Sequence, residues 1–197
     1  QYLNAIDHGK DMTATNAGIM GADKLSTDIK FIWNYAGNCL TNQHGDINYT
    51  HDILVDDTKC EFILVWDTVM TDSAKYADLI LPDAMRSESL NMQTQGYGEW
   101  YTALCVGGPA QDPPGECRNS YDVCAEIAEK MGIGDEFTEG RTYEEWAQYL
   151  YETGAAAAPE TYGITMPSWE EMKEQGVFKQ ALPPVIGLED FRKDPKG

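Results

Sequence analysis

The chain has 197 residues, 42% of them hydrophobic, with 14 Lys and Arg against 33 Asp and Glu, a net charge of −19 and a pI near 4.3. This is enough apolar material for a packed core, and the negative field repels phosphate backbones and anionic lipid heads, which argues against a nucleic-acid-binding or membrane-surface protein. No apolar stretch reaches the roughly 18 residues that span a bilayer, and no secretory signal is present.

The chain starts at Gln1 without an initiator methionine and stops at Asp194-Pro195-Lys196-Gly197, so both ends read as cut from something longer. The cysteines (Cys39, Cys60, Cys105, Cys117, Cys124) form no C-x-x-C pair, and His8, His44 and His51 do not complete a metal cage with them. Most of these cysteines read as small buried hydrophobes.

Residues 1–28 are polar and dotted with Gly9, Gly18 and Gly21, without a sustained period, and read as a loop-rich lead-in. The run Ile29–Ala36 is rich in β-branched and aromatic residues and breaks at Gly37-Asn38, which predicts a buried strand and a turn. Cys39–Gly45 reads as a polar loop. Asp46 is placed to cap a helix whose Ile47, Thr50, Ile53 and Leu54 share one face. After the Asp56–Lys59 turn, Cys60–Trp66 predicts a second strand ending on Asp67. Thr71 or Asp72 can cap a short helix to Tyr76, and Ala77–Leu81 predicts a third strand stopped by Pro82.

From Arg86 to Gly108 the pattern predicts a β excursion, with Met92–Gln95 and Trp100–Val106 joined at Gly96-Tyr97-Gly98. Pro109, Pro113 and Pro114 then exclude a helix. A helix capped by Asn119 or Ser120 follows, with Val123, Ile127 and Met131 on one face and glycines 132 and 134 at its end. Thr142-Tyr143-Glu144-Glu145 and Ser168-Trp169-Glu170-Glu171 have the form of capping boxes and predict two further helices. Ala155–Ala158 with Pro159 reads as a flexible joint between them. Past Gly176, the text from Phe178 through Leu182-Pro183-Pro184-Val185-Ile186 reads as extended chain leading elsewhere.

The expected class is therefore α/β: a three-layer, mainly parallel sheet of Rossmann-like or flavodoxin-like type, with a β excursion and extra C-terminal helices. The expected divisions are residues 1–28, an α/β domain over 29–135 and a helical extension over 136–197. Open sheets of this kind bind ligands beyond the carboxyl ends of their strands, which directs attention to Gly37, Asn38 and Asp67. Gly37 permits positive φ and a close backbone approach to a phosphate, but neither G-x-G-x-x-G nor a P-loop is present, and a plain structural turn is the favoured reading of Gly37-Asn38 taken alone. Asp67 can accept two N–H groups of a guanine edge or two ribose hydroxyls, or it can cap the next helix. Asn38 and Asn42 carry donors and acceptors suited to a base or pyrophosphate, with loop-holding as the other reading of Asn42. Trp66 can flank a base or fill the core. Asp83 and Glu88 have no histidine paired with them in sequence, and Ser73 and Ser89 lack a nucleophile elbow, so no catalytic constellation emerges.

The text Ile29–His44, Ser73–Asp83, Tyr121-Asp122 through Gly132, Phe137–Thr142 with Glu145-Trp146, and Phe191–Pro195 resembles the molybdopterin oxidoreductases, in particular catalytic subunits of the dimethyl sulfoxide reductase type. The resemblance implies an internal piece of a larger subunit that holds the guanosine and phosphate end of one half of a bis(molybdopterin guanine dinucleotide) cofactor. It further implies that molybdenum and a 4Fe-4S cluster belong to the parent enzyme, bound through motifs not found here. Its implied partners are the rest of the catalytic subunit, an iron-sulfur electron-transfer subunit and a membrane anchor subunit, at the extracytoplasmic face of the cytoplasmic membrane. Carried over by residue, the cofactor contacts fall on Asn38, Asn42, Trp66, Asp67, Ser89 and Ser120; relatives often have His, Arg and Asp where this chain has Asn42, Ser89 and Ser120. The rival expectations are a free-standing flavodoxin-like or nucleotide-binding module and a structural domain that binds no small molecule.

Overall fold

A computed structural model describes residues 2–43, 45–94, 101–181 and 186–196. The chain divides into two compact units, one of residues 1–84 with 114–118 and one of 85–113 with 119–197.

In the first unit, β1 (Phe31–Tyr35), β2 (Phe62–Asp67) and β3 (Leu79–Pro82) form a parallel sheet in the order β1-β2-β3. The register sets Tyr35 opposite Trp66 and Asp67 opposite Pro82. The expected α/β class with parallel pairing is thus observed, and the β-branched and aromatic runs account for it: β2 is central, and both of its faces are apolar. Ile63 and Val65 point to one side and Leu64 and Trp66 to the other, all buried.

Ile63 and Val65 pack into a core with Ile6 from α1 (Tyr2–His8), Leu40 from α3 (Cys39–Asn42), and Ile53 and Leu54 from α4 (Ile47–Leu54). Asp46 caps α4 as expected, its carboxylate accepting Tyr49 N–H at 3.0 Å. The lead-in is more ordered than its composition predicts. It contains α1 and the short α2 (Ala14–Ala17), the latter closed by a Thr13–Asn16 capping box. What fixes α1 is tertiary: Ile6 enters the core, while Asp7 accepts from Lys59 Nζ at 2.8 Å and Tyr49 Oη at 3.2 Å. The Lys59 hydrogen bond foremost holds the Asp7 carboxyl below the usual carboxylate range.

The second unit contains an antiparallel sheet of β4 (Asn91–Thr94), β5 (Tyr101–Gly107) and β6 (Val177–Ala181) in that order. The β excursion is therefore real, although its turn at Gly96-Tyr97-Gly98, together with Gln95 and Trp100, lies outside the described residues. The chain past Gly176 does not simply lead away: residues 177–181 pair with β5, Phe178 against Leu104. Leu182–Val185 lie outside the described residues.

The helix predicted after Asn119 is α5 (Ser120–Met131), followed by α6 (Gly134–Thr138). Its apolar face stops short of its end, since Met131 is 69% exposed. Both capping boxes are formed, opening α7 (Tyr143–Tyr162) and α8 (Trp169–Gln175). Ala155–Pro159 is not a joint. Alanine has the highest helix propensity, and α7 runs through this stretch to an αL cap at Gly163, with Ala158 buried. A single proline in the final turn removes one backbone donor without stopping the helix, which runs on to Tyr162. Val106, Ala147, Tyr151, Trp169 and Met172 form this unit's core. The last helix, α9, spans Glu189–Lys193.

Met172 is fully buried, so Met172→Ala is expected to lower stability by about 2–4 kcal/mol in chemical denaturation. Met131→Ala, on an exposed position of α5, is expected to change it by less than about 0.5 kcal/mol.

Candidate functional site at the strand ends

Asn38 and Asp67 stand at the carboxyl ends of adjacent parallel strands in one unit. The β1–β2 ladder continues one residue beyond the strand, with Ala36 N–H donating to Trp66 O at 2.8 Å, and the chain then turns. In this turn the left-handed residue is Ala36 (φ 51°), not Gly37. A Cβ at 37 would lie 2.9 Å from Cys39 Sγ, the end of a side chain that can rotate, so the position favours glycine only through that one contact. The buried Asn34 closes the turn by donating from Nδ2 to Gly37 O at 2.6 Å. The positive φ of this turn thus falls on Ala36, the neighbour of Gly37.

Asn38 is the N-cap of α3, yet its side chain accepts no backbone N–H of that helix. Its Oδ1 accepts Ser73 N–H (2.9 Å), Ser73 Oγ–H (2.7 Å) and Thr41 Oγ–H (2.9 Å), while Thr41 N–H reaches Ser73 Oγ at 3.3 Å. Ser73 is completely buried. Asn38 thus ties the turn after β1 to the 3-10 turn Ser73–Tyr76 that follows β2. With its oxygen committed, what it can present to a ligand is donor character: the amide N–H2 group and the backbone of the turn. Asn42 ends α3 and is exposed, its own N–H donating to Asn38 O at 3.1 Å.

Asp67 is half-buried, and its Oδ1 accepts Thr68 N–H at 2.7 Å. It does not cap the next turn. Thr71 does, through its Oγ to Ala74 N–H at 3.3 Å, so the carboxylate retains acceptor capacity. The Trp66 side chain is 1% exposed and lies between Trp33, stacked at 5.9 Å, and Tyr35, edge-on at 5.5 Å. This is the core reading of Trp66 rather than a ring free to flank a base. Its Nε1 is buried with no hydrogen-bond partner among the described residues.

Ser89 and Ser120 belong to the second unit. Ser89 follows the 3-10 turn Arg86–Glu88, and its carbonyl accepts from Asn91 Nδ2 at 3.0 Å; Ser120 is the first residue of α5. The structure thus brings Gly37, Asn38, Asn42, Trp66 and Asp67 to one sheet end. Among the described residues no group of three or more His, Cys, Asp or Glu is arranged to hold a metal ion, and no helix is long and apolar enough to cross a membrane.

Residues missed by sequence reasoning complete the picture. Ser73 and Thr41 serve as Asn38's partners; Thr41 is only three residues on, whereas no local pattern connects Asn38 to Ser73, 35 residues away. Tyr35 donates to the Asp83 carboxylate, which is 8% exposed. Burial foremost pushes the Asp83 carboxyl above the usual range, and the nearby Asp67 carboxylate adds to this.

Asn38→Ala removes the acceptor of a buried serine and is expected to cost about 2–4 kcal/mol in thermal or chemical unfolding. Asn38→Asp keeps the acceptor and is expected to cost under about half as much. Equal losses for the two variants would contradict this role.

Residues 4–130 match the molybdopterin oxidoreductase family. The chain is similar to dimethyl sulfoxide reductase DmsA of Haemophilus influenzae, 44% identical over 197 residues, covering 99% of this chain and 24% of that protein. It is similar to Escherichia coli DmsA at 43% identity with the same coverage. A dimethyl sulfoxide/trimethylamine N-oxide reductase of Cereibacter sphaeroides is 31% identical over 179 residues, 89% of this chain and 21% of that protein. The fold resembles acetylene hydratase from Pelobacter acetylenicus, with a TM-score of 0.62 at 21% identity, over 95% of this chain and 21% of that one. The chain therefore spans about a quarter of the length of the curated relatives it matches, and it belongs to the molybdopterin oxidoreductase family.

Proposed function

We propose that this chain is a cofactor-binding part of a dimethyl-sulfoxide-reductase-like enzyme that moves two electrons to an S-oxide or N-oxide. The observation that carries this reading is identity of 43–44% over 99% of the chain to two dimethyl sulfoxide reductases. Its role is to bind the guanosine and diphosphate end of a molybdopterin guanine dinucleotide at the carboxyl ends of β1 and β2.

The donor set fits such a group. Asp67 keeps acceptor capacity for the two N–H groups of a guanine edge, and Asn38 keeps its amide N–H2 group for a phosphate oxygen. Asn42, exposed at the end of α3, supplies a further amide. Trp66 supports the floor from the core, and its unpaired buried Nε1 marks a packing cost tolerated next to the site. Ser89 and Ser120, in the second unit, are proposed as cofactor contacts on the family resemblance alone. In this reading residues 29–135 carry the cofactor surface, 1–28 lead into it and 136–197 extend from it.

When bound, the cofactor supplies the molybdenum chemistry of the parent enzyme. This chain's residues bind and orient the nucleotide tail and carry no step of oxygen-atom transfer. The 4Fe-4S cluster, the electron-transfer and anchor subunits and the extracytoplasmic setting belong to the same proposal, supported by the family resemblance.

Titration with GDP, which carries the guanosine and diphosphate chemistry of the tail, tests the reading. Affinity near the millimolar level is expected, as about 4 kcal/mol is what a partial contact surface supplies. Asp67→Ala is expected to weaken GDP binding by about tenfold or more while leaving inorganic phosphate binding unchanged. Equal binding of GDP by the wild type and Asp67→Ala would contradict the assignment.

A further inference from the structure

The strand ends carry a second carboxyl that the proposed cofactor contacts do not use. Asp83 follows β3 directly and continues its pairing: Asp83 N–H donates to Asp67 O at 3.1 Å, and Asp83 bridges to Arg118 through the backbone on its other side. Leu81 is paired with Trp66, so Asp83, two residues on, shares that face of the sheet. Tyr35, on β1, is paired with Trp66 on the same face. The Tyr35 hydroxyl donates to Asp83, so a hydrogen bond links the outer strands across the Trp66 ring.

This places a carboxyl group that is more than nine-tenths buried one residue beyond the Asp67–Pro82 pair, at the sheet end where the ligand is expected and within electrostatic reach of the half-buried Asp67 carboxylate. The titratable groups that act on it are Tyr35 on β1 and Asp67 on β2, while Arg118 on the bridging segment pairs with it through the backbone. Only the Tyr35 hydroxyl and the Ala84 N–H favour its ionised form through hydrogen bonds, whereas burial and Asp67 oppose it.

We propose that Asp83 is a positioning and gating carboxyl for the strand-end site. Protonated, it braces Tyr35 and Trp66 and adds no charge at the sheet end; ionised, it adds a negative charge there that repels an anionic diphosphate ligand. The inference rests on the nucleotide reading above and adds to it a residue and a proton linkage. The sign follows from the raised proton affinity of the folded carboxyl. An anionic ligand favours the protonated form, so its binding takes up a proton and weakens as pH rises through the titration of Asp83. Tyr35→Phe removes a donor to the ionised form and moves that midpoint upward.

The test compares GDP and neutral guanosine on the wild type, Asp83→Asn and Tyr35→Phe between about pH 5 and about pH 8, a span that covers titration of a carboxyl raised from its reference value. Asp83→Asn is expected to bind GDP about three- to tenfold more tightly than the wild type at the upper end and equally at the lower end, the scale of one added unit charge nearby. The ratio of the two affinities cancels the ligand's own titration. Guanosine is expected to show no such divergence, and Tyr35→Phe is expected to show it with a higher midpoint.

A ligand-free readout accompanies these titrations: Asp83→Asn is expected to raise thermal stability over the wild type at the upper pH, with the gain disappearing at the lower pH. GDP affinity whose pH profile is unchanged by Asp83→Asn would overturn this inference while leaving the nucleotide reading intact. The same divergence with guanosine would overturn the charge mechanism. No GDP binding at any pH would overturn the nucleotide reading and this inference with it.

Discussion

The arrangement depends on the burial of β2 from both sides. A strand with Ile63 and Val65 on one face and Leu64 and Trp66 on the other has no solvent face, so it is held at the centre of the sheet with a parallel neighbour on each edge. A register slip by one residue would exchange the two faces and set Trp66 among Ile6, Leu40 and Ile53, a pocket packed for smaller side chains. Register in turn aligns the ends: Tyr35 beside Trp66, Asp67 beside Pro82, and Asp83 one residue beyond. The alignment of the strand ends is a consequence of core packing.

At that edge the two sides of the sheet take different tasks. On the helical side, Asn38 joins the turn after β1 to Ser73 after β2, so two loops that approach from different strands are held by one amide oxygen. On the other side, Tyr35 is paired with Trp66, and its hydroxyl reaches Asp83 just past the end of β3. Asp67 lies between these systems with only a neighbouring backbone N–H on one oxygen. A rigid surround with one under-committed carboxylate is what recognition of a planar donor edge requires, since preorganisation removes the entropic cost of ordering the site on binding.

The strands were legible because apolar runs of five or six residues bounded by turns have few alternatives, and the capping boxes at Thr142 and Ser168 because their geometry is local. What escaped was tertiary. Helix α1 has little periodicity and is held by Ile6 in the core and by Asp7 against Lys59, a partner 52 positions away that no window contains. The alanine run with Pro159 read as a break because proline was weighed above alanine, whereas burial of Ala158 and the Gly163 cap carry α7 through it. At the candidate site the positions of Asn38 and Asp67 followed from strand ends alone. The commitment of the Asn38 oxygen, the displacement of the positive φ to Ala36 and the burial of Asp83 required coordinates, because each depends on a neighbour distant in sequence or on crowding that sequence does not record.

The central claim is that the carboxyl ends of β1 and β2 form one nucleotide-binding surface. Amide chemical-shift mapping of the isotope-labelled chain during addition of GDP tests it most directly. The account predicts saturable shifts concentrated at residues 36–42, 67–74 and 83–84, with the helices around Tyr151 and Met172 unaffected. Shifts centred on the second unit, or none at the strand ends at saturating GDP, would contradict it.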